Sequence, residues 1–380
     1  MSRQLRLFPA SAPAGEGRAP VLPPGEARDR EIVRALGAWF EVKARDLPWR
    51  RGRTPYAVWL SEIMLQQTRV ETVIPYFERF LRAYPDVGAL ASARIDDVLH
   101  LWSGLGYYRR ARQLHAAARE VTDRYGGVLP EDAEALRSLP GVGAYTAGAI
   151  ASIAYGRREP LVDGNVARVL ARIEAIDEPL KTPSVTRRLW ETAARLVPAD
   201  LPGRFNEGLM ELGATVCTPR DPRCDACPLS HVCSARASGR ERDLPVVESK
   251  RPVPVVAAVA AVIVDGGLVL LARRREGGLF GGLWEPPMVE VPTVEAARRA
   301  LAAVGVALGR TRLRDVGRVV HVLTHRRMEV TVAVARRASG LSVGETLAEP
   351  YERAEWLSPV EPRVGVSTLA RKVLAAAGGA

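Results

Sequence analysis

Cysteine is nearly missing from this 380-residue chain: its four cysteines, Cys217, Cys224, Cys227 and Cys233, fall within a single short stretch. That distribution excludes a disulfide framework, which would scatter its cysteines through a small secreted domain. A cationic, apolar leader is also lacking, so the expectation is a cytoplasmic protein whose thiols stay reduced and hold one metal centre. The spacing C-x6-C-x2-C-x5-C has one C-x2-C knuckle where zinc ribbons pair two, which favours a 4Fe-4S cluster on one loop and leaves a structural zinc loop as the alternative. No apolar stretch is long enough to span a membrane, and no membrane partner is expected. The longest run, around Val253 to Val264, is interrupted by Pro254 and reads as a strand entering a turn at Asp265-Gly266-Gly267. Lysine is as scarce as cysteine: Lys43, Lys181, Lys250 and Lys372 are the four among 54 basic residues.

What is present is size and positive charge. Forty-seven per cent apolar residues in a chain of this length fill about two or three domains. The net charge of +11 favours a polyanionic partner, nucleic acid before membrane. Residues 1–28, proline-bearing and without apolar periodicity, read as a disordered lead-in. Helical patterns then follow through Arg30 to Ala44, Pro55 to Tyr84, Ile95 to Trp102, Tyr107 to Tyr125, Asp132 to Leu139, Ala144 to Tyr155, Asn165 to Ile173 and Pro183 to Leu196. The expected domains are a helical one at 29–216, the cysteine loop at 217–233, a linker at 234–254 and an α+β domain at 255–380. The last has β-branched stretches at Val255 to Val264, Leu268 to Ala272, Val316 to Val322 and Met328 to Val334, with one amphipathic helix from Val294 to Val304.

Three places in the helical half carry chemistry. Leu139-Pro140-Gly141-Val142-Gly143 lies between two helices, where Gly141 and Gly143 permit a tight hairpin that turns helix N–H groups toward a phosphate. A glycine helix cap gives the same string. Val162-Asp163-Gly164-Asn165 opens a helix, so Asp163 reads first as an N-cap; Asn165 can cap as well, which would leave the Asp163 carboxylate facing a cleft. Glu62 sits with Val58, Trp59, Leu65 and Gln66 around it on a mostly apolar face, where desolvation raises a carboxyl pKa and suits a general acid.

Leu47-Pro48-Trp49-Arg50, Trp59 to Thr68, Gly104 to Arg112, the hairpin, Val162 to Asn165 and the cysteine loop together resemble the helix-hairpin-helix DNA glycosylases, and among them the MutY-type adenine DNA glycosylases. The resemblance implies a multi-domain protein: an all-α helix-hairpin-helix glycosylase domain with an iron-sulfur loop, then an α+β Nudix-like domain. It implies a base-excision repair enzyme, a monomer, that flips adenine mispaired with 8-oxoguanine or guanine out of double-stranded DNA and cuts its N-glycosidic bond. Glu62 then matches the acid that protonates the departing base, and Asp163 the carboxylate that stabilises the oxocarbenium-like sugar. Tyr145 and Asn165 match residues beside the sugar. Trp49, Arg50, Leu65 and Glu207 resemble positions lining the adenine pocket, while Gln67 and Tyr107 resemble wedges entering the base stack. At least one of Tyr107 and Tyr108 is expected to be core packing. Arg220 and Arg223, between the first two cysteines, are expected to face phosphate.

An endonuclease III-like enzyme is the rival within the superfamily. Its strand-nicking step uses a lysine as Schiff-base nucleophile, and that position holds Tyr145 in this chain. Arginine offers no free amine in its place, so the resemblance implies a monofunctional glycosylase. A catalytically silent damage-binding protein is the reading from another class; retention of Glu62 and Asp163 opposes it.

Residues 255–380 resemble the family's lesion-reading domain through Phe280-Gly281-Gly282-Leu283-Trp284-Glu285-Pro286-Pro287. The stretch matching the magnesium-binding Nudix motif reads Arg298 to Gly305 and lacks its carboxylates, so pyrophosphatase chemistry is not expected. His321-Val322-Leu323-Thr324-His325 aligns with a loop that reads the oxidised guanine and commonly has Phe and Ser where this chain has Leu323 and Thr324; His325 completes the match.

Overall fold

The computed structural model describes residues 25–247, 252–360 and 363–378. It divides into two compact units, Met1–Arg45 with Gly156–Glu248, and Asp46–Tyr155 with Ser249–Ala380. The helices, in chain order, are α1 (Gly25–Lys43), α2 (Pro48–Arg51), α3 (Pro55–Leu65), α4 (Val70–Ala83), α5 (Val87–Ser92), α6 (Ile95–Trp102), α7 (Arg109–Tyr125), α8 (Ala133–Arg137), α9 (Ala144–Ala149), α10 (Gly164–Ile173), α11 (Pro183–Leu196), α12 (Pro202–Thr215), α13 (Ser234–Ala237), α14 (Val294–Ala303) and α15 (Thr368–Gly378). The strands are β1 (Val255–Asp265), β2 (Leu268–Arg274), β3 (Trp284–Glu285), β4 (Met288–Val289), β5 (Val306–Ala307), β6 (Arg314–Val322), β7 (Arg327–Arg336), β8 (Ser342–Val343) and β9 (Tyr351–Leu357).

The first unit packs α1 and α10 to α13 with the cysteine loop. Helix α12 has no counterpart among the helical patterns expected from the sequence; it contains three glycines, Gly203, Gly208 and Gly213. Two of these glycines are contact points. A Cβ at Gly208 would lie 3.2 Å from Leu36 Cγ on α1, and one at Gly213 only 2.7 Å from Asn165 Cβ on α10, so the small residues let three helices approach closely. Helix α1 begins at Gly25, inside the stretch expected to be disordered. Its first turns lack apolar periodicity but are tied down by polar contacts, Arg28 Nε donating to Val232 O at 3.0 Å and Nη2 to Ser234 Oγ at 3.0 Å. Residues 1–24 of that stretch lie outside the described residues. The expected linker is likewise packed at its start: Ser234–Ala237 is helical, Leu244 is buried, and its carbonyl accepts from Arg172 Nε at 2.7 Å.

The second unit has a helical part and a mixed sheet. Helix α3 is capped by Thr54, whose side chain accepts from Ala57 N–H at 3.2 Å, and Pro55 occupies its first turn. Every residue from Tyr56 to Met64 is buried, so α3 is a central helix with no solvent face. It stops at Gln66, and a turn separates it from α4 where the sequence pattern reads as one helix. After α9 the chain widens into a π-helical stretch, Ile150–Ala154, so the expected helix to Tyr155 changes its hydrogen bonding midway.

The main sheet runs β3-β2-β1-β7-β6, with β4 against β1 and β9 against β2; β1 and β7 are parallel over their length. Strand β1 is apolar on both faces because both are covered. Ala258, Ala260 and Val262 cluster with Leu369, Ala370 and Val373 of α15, while Val259, Ala261 and Ile263 cluster with Ala297 and Leu301 of α14. The expected turn follows it: Gly266 and Gly267 both have positive φ, +54° and +84°, and join β1 to β2 by a two-residue hairpin.

Candidate active site and nucleic-acid interface

Glu62 lies in the last turns of α3 and is 5% exposed. The Tyr145 hydroxyl, from the first turn of α9, donates to Glu62 Oε2. Gln66 and Thr146 fasten the same helix pair, Nε2 to Oγ1 at 3.4 Å. A phenol from the hairpin's second helix therefore orients a buried carboxyl group. Near it in the same unit, Trp49 is buried edge-on to Phe77 with ring centroids 5.5 Å apart, Arg50 is half-buried on α2, and Leu65 is half-buried at the end of α3.

In the first unit Asp163 is the N-cap of α10: Oδ1 accepts from Val166 N–H at 2.7 Å, and Oδ2 accepts from Asn165 Nδ2 at 3.2 Å. The alternative in which Asn165 caps and releases Asp163 does not hold. The side chain of Asn165 serves the carboxylate instead, because Gly164 is already the first helical residue. Burial pushes the Asp163 carboxyl above its ordinary value, against the opposing pull of the Val166 and Asn165 N–H groups and the Arg168 charge. Arg168 links this cap to the cysteine loop. Its Nη2 donates to Asn165 Oδ1 and to Gly213 O, both at 2.8 Å, and its Nε to the carbonyl of Cys217 at 2.8 Å. Nothing in the sequence marks Arg168 as functional; its only signal is a charged residue on the buried face of an amphipathic helix. Glu207 is buried on α12.

The four cysteines are half-buried and none is bridged. Burial pushes the Cys227 thiol up to about 12 and raises Cys224 and Cys233, while N–H groups of Leu229 toward Cys227 and of Ala235 and Arg236 toward Cys233 oppose the rise. Arg172, 2% exposed, donates from Nη1 to Cys217 Sγ at 3.2 Å and to Thr218 O at 2.7 Å. Thiols beside N–H donors and a buried guanidinium fit an iron-sulfur centre, whose cationic metal would ionise them when bound. Among the described residues, no three or more His, Cys, Asp or Glu side chains are grouped as a single metal ion requires. Arg220 is exposed, but Arg223 is partly engaged, Nη2 donating to Thr215 O.

The hairpin Leu139 to Gly143 is closed by Val142 N–H to Leu139 O at 3.1 Å. Gly141 has φ +76°, and a Cβ there would sit 2.7 Å from Gln113 Cβ, so both backbone and space demand glycine. Gly143 is different: φ −88° and ψ 179° suit any residue, and nothing lies within 4 Å of where its Cβ would be.

A cavity of about 800 Å³ in the second unit is lined by Tyr107, Arg109 and Arg112, by Phe280 and by the loop His321 to Arg326. Tyr107 is 48% exposed toward it, whereas Tyr108 is buried, its hydroxyl donating to Val366 O at 2.7 Å; the core-packing expectation falls on Tyr108. Leu323 is half-buried, Thr324 and His325 are exposed, and the Leu323 N–H closes the loop on Arg326 O at 2.8 Å. Sequence reasoning did not single out Phe280 or Arg112 for this cavity. The Phe280 ring lies 6.1 Å from the His321 ring, and Arg112 donates to Gly281 O, tying α7 to the glycine-rich loop. In the matching Nudix stretch, Arg298, the one position where the motif also has arginine, donates from Nη1 to Thr311 O at 3.1 Å, and Arg299, Ala302 and Ala303 stand where the motif has its carboxylates.

A helix-hairpin-helix scaffold, a cysteine loop and a Nudix-like sheet define a DNA glycosylase of base-excision repair. Residues 60–195 match the HhH-GPD superfamily of base excision DNA repair proteins, 217–233 the iron-sulfur binding domain of endonuclease III, and 258–376 the NUDIX domain. The adenine DNA glycosylase of Homo sapiens is 39% identical over 399 residues, covering 89% of this chain and 72% of that one. The adenine DNA glycosylase of Mycolicibacterium smegmatis is 45% identical over 205 residues, 54% of this chain and 69% of that one. A thermostable thymine-DNA glycosylase structure superimposes with a TM-score of 0.50 at 31% identity, covering 56% of this chain and 98% of that one. The chain belongs to the adenine DNA glycosylase family. It is an enzyme of DNA repair, its macromolecular partner is DNA, and it carries an iron-sulfur cluster. No helix among the described residues is long and apolar enough to cross a membrane.

Proposed function

We propose that this enzyme excises adenine paired with 8-oxoguanine, or with guanine, from double-stranded DNA by hydrolysis and leaves the strand uncut. The observation that carries the reading is the buried Glu62 carboxyl held by the Tyr145 hydroxyl at the position where a strand-nicking relative has its lysine. As the bond from the sugar to adenine breaks, Glu62 gives its proton to the base; water then adds its hydroxyl to the sugar and its remaining proton restores the Glu62 acid. Asp163, acting as the carboxylate, faces the positive charge that develops on the sugar, with Asn165 and Tyr145 fixing both carboxyl groups. Trp49, Arg50, Leu65 and Glu207 line the adenine pocket. Gln67 and Tyr107 fill the stack, and the cavity formed by Tyr107, Leu323, Thr324 and His325 receives the partner base.

Cys217, Cys224, Cys227 and Cys233 hold one 4Fe-4S cluster, which when bound cross-links a loop that has little apolar core of its own. Arg220 and Arg223 meet the DNA backbone there. The open space at Gly143 admits a phosphate close to the N–H groups that start α9. Duplexes bearing adenine opposite 8-oxoguanine, or an oxidised pyrimidine, separate this reading from its rivals. Breaks are expected at the adenine alone and after alkali alone; breaks without alkali, or mispair binding with no base release, contradict it.

A further inference from the structure

One guanidinium spans the two loops assigned above to the base stack. Arg110, in the first turn of α7, is 8% exposed. Its Nη1 donates to the carbonyls of Ile63, Met64 and Gln66 at 2.8, 2.9 and 2.6 Å, the end of the helix that carries Glu62. Its Nη2 donates to Thr68 Oγ1 at 3.1 Å, to Leu105 O at 3.4 Å and to Gly106 O at 3.2 Å. The same cation lies 5.4 Å from the ring centroids of both Trp102 and Tyr107. Burial pulls Arg110 down to about 10, so it remains charged at neutral pH. All its acceptors are neutral oxygens, and the helix C-terminal carbonyls of α3 supply the negative potential that compensates it.

The two loops share a second property. Gln67 and Tyr107 have φ of +57° and +48°, a left-handed backbone that is strained for a residue with a Cβ and persists only where neighbours enforce it. Each follows a carbonyl held by Arg110, that of Gln66 in one loop and that of Gly106 in the other. We propose that Arg110 is a positioning residue that makes Gln67 and Tyr107 insert into DNA as one body, so that engagement of the partner base by Tyr107 is coupled to extrusion of the adenine. The proposal rests on the wedge roles proposed above for Gln67 and Tyr107. An ordinary buried helix cap would account for the bonds to α3 but not for those to residues 105 and 106. Lysine separates the two roles: as a point charge it can serve the end of α3, but it lacks the planar fork that reaches both loops.

The test is a double-substitution cycle on the full-length, cluster-bearing enzyme. Excision rates are measured for Gln67→Ala, Tyr107→Ala and the pair, first with Arg110 and then with Arg110→Lys, on a duplex mispair and on the same adenine in an unpaired bulge. With Arg110 present the pair is expected to lose about tenfold less than the product of the single losses, because either change already uncouples the wedges. In Arg110→Lys the losses become multiplicative, and that variant's own deficit is about tenfold larger on the duplex than on the bulge. Multiplicative losses with Arg110 in place overturn the proposal, and this arm needs no Arg110 variant to fold. An equal deficit on duplex and bulge overturns it as well, since a merely structural arginine would slow both. If neither single wedge substitution slows duplex excision while the unsubstituted enzyme is active, the wedge assignment itself fails, an outcome distinct from independent wedges.

Discussion

Asp163 meets two demands with one carboxyl group. As an N-cap it accepts the Val166 N–H, and as the charge proposed to face the sugar it must stay ionised in a site whose burial disfavours ionisation. Its pKa is raised in the folded protein, so the folded state binds the proton more readily than the unfolded chain does. Stability is therefore lost as pH rises from the unfolded carboxyl range, near 3.9, through the raised folded value, and the penalty is fully present above that value. Asp163→Asn keeps an equivalent cap and removes the buried charge. Excision is expected to fall by about a hundredfold to a thousandfold, the range lost when a preorganised charge-stabilising group is removed. The same variant is expected to melt higher than the parent at pH 7, with the gap closing toward pH 4. A lower melting temperature at pH 7 would mean that the carboxylate is chiefly structural. The proposed role of Asp163 also requires excision to decline as pH falls through its raised pKa. The cap itself was legible in the string Val162 to Asn165. The hydrogen bond between Tyr145 and Glu62 was not, because it joins residues 83 positions apart and depends on how α9 packs on α3.

Between elements, glycine was the least legible residue. Patterns of apolar spacing located most helices of the second unit and the long strands of the sheet, because there burial of one or both faces writes a period into the sequence. Helix α12 escaped because its glycines encode a distance between helices, which has no period. The two contact glycines should respond differently to substitution. Alanine at Gly208 meets Leu36 Cγ, a side chain that can shift, and gains roughly 1 kcal/mol of helix propensity, so Gly208→Ala should leave the melting temperature nearly unchanged. Alanine at Gly213 meets Asn165 Cβ at 2.7 Å and its backbone carbon at 3.1 Å, so α10 must move. A cost of about 1–3 kcal/mol is expected, together with slower excision, since Asn165 holds Asp163. Melting curves and single-turnover rates for the pair decide it; equal behaviour would mean that the approach of α12 to α10 does not govern the site. Gly143→Ala is a third case. Its backbone suits alanine and its surroundings are open, so a loss of DNA affinity without a loss of stability is the expected mark of a phosphate that passes close by.

At the scale of the molecule, the cysteine loop reads in sequence as one metal centre, and its connection to the chemistry lies in side chains that spacing cannot show. The carbonyl of Cys217 receives Arg168, Arg168 holds Asn165, and Asn165 holds the Asp163 carboxylate. Arg172 fastens the same loop at Cys217 Sγ, Thr218 O and Pro219 O and reaches Leu244 O in the segment beyond the last cysteine. Two arginines of α10 therefore tie down a loop whose buried apolar residues are Leu229 and Val232, and a bound cluster would supply further order. Removing the iron with an oxidant and a chelator should release residues 217–247 to protease first. Excision should then fall with the same time course as the visible absorbance, because Arg168 loses one anchor and Asn165 loses its register on Asp163. Arg168→Lys, with the cluster intact, should reproduce the loss of excision without the protease sensitivity. Colourless protein that still excises adenine at the full rate would contradict both the cluster's part in holding Asp163 and the route through Arg168.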